Sequence, residues 1–176
     1  MSKLVNQLLQ LSRADRHKES LHLEEFDLSE LTEMVAEEAQ GLAESKAVTL
    51  TAEIEPGILV KADQTLMMRI WLNLLTNAVK YGRQQGQIWL TLKSDGKNAV
   101  GTVRDDGIGI SAAELPKIWK RFYRVNTARS SGDDSGTGLG LAMVKWMVES
   151  HGGTVSAVST LGAGSTFSFT IPLRPS

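Results

Sequence analysis

The chain has 176 residues, 19 Lys+Arg against 20 Asp+Glu for a net charge of -1, 41% hydrophobic residues, 16 Gly and no Cys. With its glycines it is about half apolar and long enough for one core without staples, which excludes wholesale disorder, collagen-like structure and a disulfide framework. The even charge balance, the 3 scattered His and the absence of a long apolar run argue against nucleic-acid binding, a zinc centre and a bilayer span.

From Met1 to about Glu19, Leu4, Leu8 and Leu11, with Val5 and Leu9 beside them, recur at three- and four-residue spacing. This predicts an amphipathic helix that packs either on the main domain or on a partner helix in a bundle. Asp27 followed by Glu30 reads as a capping box, and Leu28, Leu31, Val35 and Leu42 keep helical phase to about Lys46. Val48, Leu50, Ala52 and Ile54 alternate with polar residues into a strand ended by Pro56-Gly57, and Ile58 to Val60 forms another. Asp63 is a natural N-cap for a long helix to Tyr81, stopped by Gly82. Ile88, Leu90 and Leu92 alternate into a strand joined through Asp95-Gly96 to a partner running from about Ala99 to Arg104.

Ser111-x-x-Glu114 resembles a second capping box, predicting a short helix as far as Phe122, after which Val125 to Gly136 is a loop nearly devoid of large apolar residues. Gly138 opens a further helix, with Leu141, Val144, Lys145 and Val148 in phase and Gly152-Gly153 as its stop. Two strands close the chain, the last marked by Phe167, Phe169 and Ile171 alternating with Thr166, Ser168 and Thr170. The pattern predicts a two-layer α/β sandwich, a mixed sheet with helices on one face, preceded by a helical segment.

Four groups of residues sit awkwardly with a purely structural role. In the helix ending at Tyr81, the stripe Leu66, Ile70, Asn73, Asn77, Lys80 turns from apolar to polar at helical spacing. Amide oxygens there can ligate a hard cation such as magnesium, and the Lys can meet phosphates that the cation bridges; the plainer alternative is a solvated helix face. Asp105 stands at a strand end before Gly107 and Gly109, where a carboxylate can accept from an exocyclic amine and glycine lets a ligand approach the backbone. A simple turn is the alternative. Gly136, Gly138 and Gly140, interleaved with Thr137 and Leu139, lie at a helix mouth where backbone N–H groups and the helix dipole can hold phosphate, unless they are merely a flexible loop. Phe122-Tyr123-Arg124 combines an aromatic anchor with an arginine that can face the phosphates, or core aromatics with a surface charge.

In this order the four groups resemble the N, G1, F and G2 boxes of the ATP-binding domain of sensor histidine kinases, in the gyrase, Hsp90, histidine kinase and MutL superfamily. The resemblance runs from about Phe26 to Arg174 and includes His151-Gly152-Gly153, Gly162-x-Gly164 and Ile171-Pro172-Leu173. It implies the Bergerat-type ATP-binding fold over 23–176, with 1–22 as the end of a truncated dimerisation and phosphoacceptor hairpin. It implies ATP and Mg2+ as cofactors, with Asn77 and Asn73 on the metal. Lys80 and Tyr81 would meet the phosphates or ribose, Asp105 the adenine amine, and Gly107 and Gly109 would line the base pocket. Tyr123, Arg124 and the run Gly136, Thr137, Gly138, Leu139, Gly140 would hold the β and γ phosphates under a lid. Asn77, Lys80 and Arg124 would carry catalysis.

The implied reaction is transfer of the γ-phosphoryl group to a histidine. The acceptor is a His followed by an acidic residue and then by Thr or Ser and Pro, and His17, His22 and His151 all lack that context. The acceptor is thus expected on a phosphoacceptor domain absent from this chain, with a response regulator downstream, no nucleic acid, and a monomeric fragment of a homodimeric parent. The resemblance implies a soluble cytoplasmic unit in a family many of whose members are membrane-anchored. The rival readings are an ATP-gated switch and a nucleotide-binding regulatory module. The switch branches use a Glu general base four residues before the magnesium Asn; this chain has Asn73 there, and an amide takes no proton from water. Trp119 and Lys120 depart from the family's usual Phe and Glu before Arg121-Phe122.

Overall fold

The computed structural model of the chain describes residues 21–121, 123 and 140–174. The helix expected from Met1 to Glu19 and the loop expected from Val125 to Gly136 lie outside them.

The first helix, α1 (Leu28–Ser45), starts where its cap predicts, because Asp27 Oδ1 accepts the N–H of Ser29 at 2.8 Å and of Glu30 at 3.2 Å. Just before it, β1 (Glu24–Asp27) pairs antiparallel with β3 (Leu59–Ala62). No local pattern predicts β1, because four residues carry little alternation and the partner lies far along the chain.

Helix α2 (Gln64–Tyr81) is capped by Asp63, whose Oδ1 accepts the Leu66 N–H at 3.2 Å. Asp63 is also a junction. Its Oδ2 accepts the His22 N–H at 3.1 Å, and its own N–H donates to His151 Nε2 at 3.0 Å. Since a backbone N–H only donates, Nε2 accepts, leaving His151 Nδ1 to donate to Met147 O at 2.7 Å. His151 comes directly after α3 (Gly140–Ser150), so this ring ties the C-terminal end of α3 to the N-terminal end of α2.

The main sheet runs β2-β4-β5-β7-β6, from β2 (Thr49–Ile54), β4 (Gln87–Ser94), β5 (Asn98–Asp105), β6 (Val155–Thr160) and β7 (Gly164–Pro172). Only the β2–β4 pair is parallel, with α2 in the crossover between them; every other pair is antiparallel. One face of the sheet is apolar: Ile88, Leu90, Leu92, Ala99, Val103, Phe167, Phe169 and Ile171 are buried there. The alternating residues Trp89, Thr91, Thr102, Arg104 and Thr166 are half-buried or exposed, with the Arg104 guanidinium 4.7 Å from the centre of the Trp89 ring. The three helices among the described residues form one hydrophobic core with the apolar face, as the predicted two-layer sandwich requires.

Trp71 of α2 lies at the centre of that core, fully buried, edge-on to Phe169 at 4.9 Å between ring centres. Gly101 of β5 makes room for it. A Cβ at Gly101 would overlap the Phe169 ring and come within 2.8 Å of Trp71 Cη2. Gly101→Ala is therefore expected to cost about 1–3 kcal/mol by overpacking, read as a lowered denaturant midpoint with an unchanged slope.

One predicted element is corrected. Ser111 Oγ accepts the Glu114 N–H at 3.3 Å, but beyond it the chain makes only a 3-10 turn at Leu115–Lys117 rather than a helix to Phe122. The Leu115 N–H makes one four-residue closure to Ser111 O at 3.0 Å, but Pro116 has no N–H to continue it, and three-residue closures such as Lys117 N–H to Glu114 O at 2.8 Å follow instead. Trp119 still packs inward, edge-on to Phe167 at 6.1 Å.

Candidate functional site

The polar end of the α2 stripe lies where the helix leaves the core. Leu66 and Ile70 are buried, Asn73 and Asn77 half-buried, and Lys80 exposed with Nζ 5.3 Å from the centre of the Tyr81 ring. The helix end abuts the loop after β5: the Ile108 N–H donates to Tyr81 O at 3.3 Å. A Cβ at Gly107 would overlap that same carbonyl oxygen and lie 2.7 Å from Gly82 Cα, so glycine is what lets the loop meet the helix.

Asp105, the last residue of β5, is only 4% exposed, and its Oδ1 accepts the Gly107 N–H at 2.8 Å. Burial holds its carboxyl above the usual carboxylate range, more than the opposing backbone N–H groups of Gly107 and Ser165 lower it, and the neighbouring Asp106 charge pushes the same way as burial. Asp106 is employed differently, with Oδ1 accepting the Gln87 N–H at 3.0 Å. Of two adjacent aspartates, one pins β4 and the other stands buried beside the glycines.

Gly109 has φ +72, and a Cβ there would overlap Thr160 O and lie 3.0 Å from Leu161 Cα. The loop thus lies against the β6–β7 turn. The Gly162 N–H donates to Ile108 O at 2.7 Å, the Ile110 N–H donates to Ser159 Oγ at 2.7 Å, and Arg83 Nη2 donates to Gly162 O at 3.0 Å. Neither this turn nor Arg83 is among the residues that the sequence points to for the site; the paired glycines Gly162 and Gly164 are the available signal.

Gly140 opens α3 and is half-buried. The Tyr123 hydroxyl donates to Glu114 Oε1 at 2.7 Å, and that bond, with desolvation behind it, holds the phenol above its ordinary pKa. Arg124, Gly136, Thr137, Gly138 and Leu139 lie outside the described residues.

Among the described residues no group of three or more His, Asp or Glu gathers as a metal site. A hard cation at the end of α2 would rest on amide oxygens and on whatever anion it accompanies, a set that suits magnesium carried in with phosphates. The dry carboxylate, the glycine-lined approach and the lysine at the helix end fit an adenine nucleotide.

The sequence family described as histidine kinase-, DNA gyrase B- and HSP90-like ATPases matches residues 62–175. The chain belongs to this family. It is 38% identical over 173 residues to the sensor histidine kinase TmoS of Ectopseudomonas mendocina, covering 98% of this chain and 18% of that protein. It is 32% identical over 176 residues to the sensor histidine kinase WalK of Bacillus subtilis, covering 99% of this chain and 29% of that one. The chain thus spans less than a third of either relative. Among solved structures it is similar to full-length ShkA in complex with AMPPNP, at a TM-score of 0.83 and 31% identity, over 98% of this chain and 36% of that one. It is similar also to the mycobacterial sensor histidine kinase MprB, at a TM-score of 0.76 and 28% identity, over 87% of this chain and 100% of that one. No helix among the described residues is long and apolar enough to cross a membrane.

Proposed function

We propose that this chain is the nucleotide-binding catalytic domain of a sensor histidine kinase, moving the γ-phosphoryl group of ATP to a histidine on a phosphoacceptor domain. The observation that carries the reading is the meeting of buried Asp105, Gly107 and the end of α2, which bears Asn77 and Lys80. The ShkA structure, solved with AMPPNP, supports a nucleotide in this fold.

Asp105 accepts the adenine amine, while Gly107 and Gly109 let the base approach the backbone. Asn73 and Asn77 present their amide oxygens to magnesium, and Lys80 and Tyr81 meet the phosphates and ribose. Magnesium, when bound, neutralises charge across the phosphates. Tyr123, Arg124 and the stretch Gly136, Thr137, Gly138, Leu139, Gly140 complete the phosphate side. Such a transfer depends on positioning and charge neutralisation more than on bonds made by the protein. The bond from the γ phosphorus to the bridging oxygen breaks as a nitrogen–phosphorus bond forms on the acceptor imidazole, and ADP leaves. His151 is a poor acceptor, since both its ring nitrogens are hydrogen-bonded.

Residues 23–176 form the catalytic domain in this reading and 1–22 the end of the phosphoacceptor hairpin. The His22 N–H bond to Asp63 then makes the joint between them part of the α2 cap. The parent kinase works as a homodimer and passes the phosphoryl group to a response regulator, while this chain alone is monomeric.

Calorimetric titration with a non-hydrolysable ATP analogue, with and without magnesium, tests the nucleotide site, with a GTP analogue as control. The expected result is magnesium-dependent, adenine-selective binding. Absence of binding at millimolar ligand would leave a partner-binding remnant of the fold. Labelled ATP and a separate phosphoacceptor hairpin then test transfer; an unlabelled hairpin at saturating nucleotide would favour a regulatory binding module.

A further inference from the structure

The base site is framed by a closed circuit of hydrogen bonds. Tyr81 O at the end of α2 accepts the Ile108 N–H at 3.3 Å, and Ile108 O accepts the Gly162 N–H at 2.7 Å. Gly162 O accepts from Arg83 Nη2 at 3.0 Å, and Arg83 lies two residues beyond Tyr81, closing the ring. Arg83 is itself held, since its carbonyl accepts the Gly86 N–H at 2.8 Å. Three segments meet in this circuit: the end of α2, the Asp105–Ile110 loop and the β6–β7 turn.

The base of the turn is well tied, with Ser159 Oγ donating to Gly164 O at 2.9 Å and the Ala163 N–H donating to Thr160 O at 2.9 Å, whereas its tip is linked to the neighbouring segments through the Gly162 N–H to Ile108 O and the Arg83 bond to Gly162 O. Leu161 at its tip is 66% exposed, and Gly162 and Ala163 are exposed too, so apolar burial does not hold it. Yet it is the wall on which Gly109 rests, with Thr160 O and Leu161 Cα in contact range of any Cβ there. An exposed turn tip with no apolar burial opens more often when one of the bonds that link it to its neighbours is lost.

We propose that Arg83 is a positioning residue for base recognition: by clamping Gly162 O it holds the β6–β7 turn against the Gly107–Gly109 loop and so fixes how Asp105 meets the base. The inference rests on the nucleotide reading above. Arg83 suits the task because guanidinium keeps several donors in a rigid plane, so one can grip a carbonyl while the others stay solvated.

The test compares this chain with its Arg83→Gln, Arg83→Lys and Asp105→Asn variants, titrated with the ATP analogue, adenosine and the GTP analogue. Arg83→Gln should lose about three- to tenfold in affinity for the ATP analogue and for adenosine alike. Its preference for adenine over guanine should shrink by the same factor, and amide exchange at Gly162 should quicken. The thermal midpoint of the free chain should stay within about 2 °C, which separates a positioning role from a loss of fold.

Arg83→Lys, which keeps the charge without the planar fork, should show part of the same loss. Loss for the ATP analogue with adenosine untouched would overturn the proposal and make Arg83 a phosphate contact, as would full recovery in Arg83→Lys. Undiminished binding in Arg83→Gln, with Asp105→Asn impaired, would overturn the clamp and leave the nucleotide site standing. Failure of the unsubstituted chain to bind the ATP analogue would overturn both.

Discussion

Asp105→Asn is expected to weaken the ATP analogue by about 1 to 3 kcal/mol, the scale of one buried charge-assisted hydrogen bond, and to leave the GTP analogue nearly unaffected. The asymmetry comes from which oxygen is already committed. Asp105 Oδ1 accepts the Gly107 N–H, so an asparagine keeping its oxygen there turns its NH2 toward the ligand. A donor then faces the donor amine of adenine. Equal losses for adenine and guanine nucleotides would refute the pairing of Asp105 with the base.

The same residue sets a pH dependence. Burial raises its folded-state pKa, so the folded chain takes up this proton at a higher pH than the unfolded chain does. The corresponding stability is fully present below the unfolded pKa and is lost as pH rises through the folded one. Above that range the free domain carries a desolvated charge, and Asp105→Asn should not destabilise it there. Binding runs the other way. If Asp105 accepts the adenine amine through its carboxylate, affinity should fall as pH drops into the raised titration range, and the curve should flatten in Asp105→Asn. Titrations at several acidic pH values, with thermal midpoints of the free chain alongside, read both effects.

What the sequence announced and what it hid differ by range of interaction. Helix α2 was legible at both ends because Asp63 and Gly82 act within one turn, and the β4–β5 hairpin because Asp95 binds the N–H groups of Lys97 and Asn98 at 2.9 and 2.7 Å. The β2–β4 parallel pair and the short β1 depend on partners brought in by α2 and by β3, which no local pattern encodes. At Ser111 the capping pattern was real, but Pro116 carried more weight than the cap. Asp105 and Asn77 stood out because each puts polarity where burial is expected. Arg83 gave no such sign, since one exposed arginine in a loop looks like any other until its carbonyl partner arrives from β6–β7.

Asn77→Ala is expected to abolish the magnesium dependence of nucleotide binding and, with a phosphoacceptor hairpin supplied, to lower phosphotransfer by about two orders of magnitude or more. Asn77 is half-buried one turn before the end of α2, on the stripe that passes from Ile70 through Asn73 to Lys80. Alanine leaves Asn73 as the remaining amide of that stripe, and no cluster of carboxylates or imidazoles among the described residues could take over the ion. The fold should not suffer: alanine is the better helix former by about 0.5 kcal/mol, so the thermal midpoint should hold or rise. A stable chain that binds the ATP analogue equally with and without magnesium would therefore report a lost metal contact and not a lost fold. Asn73→Ala should blunt the magnesium effect without removing it. Magnesium dependence that survives Asn77→Ala would place the ion elsewhere, and Lys80 would then be the group to test for the phosphate contact that the metal had been assigned.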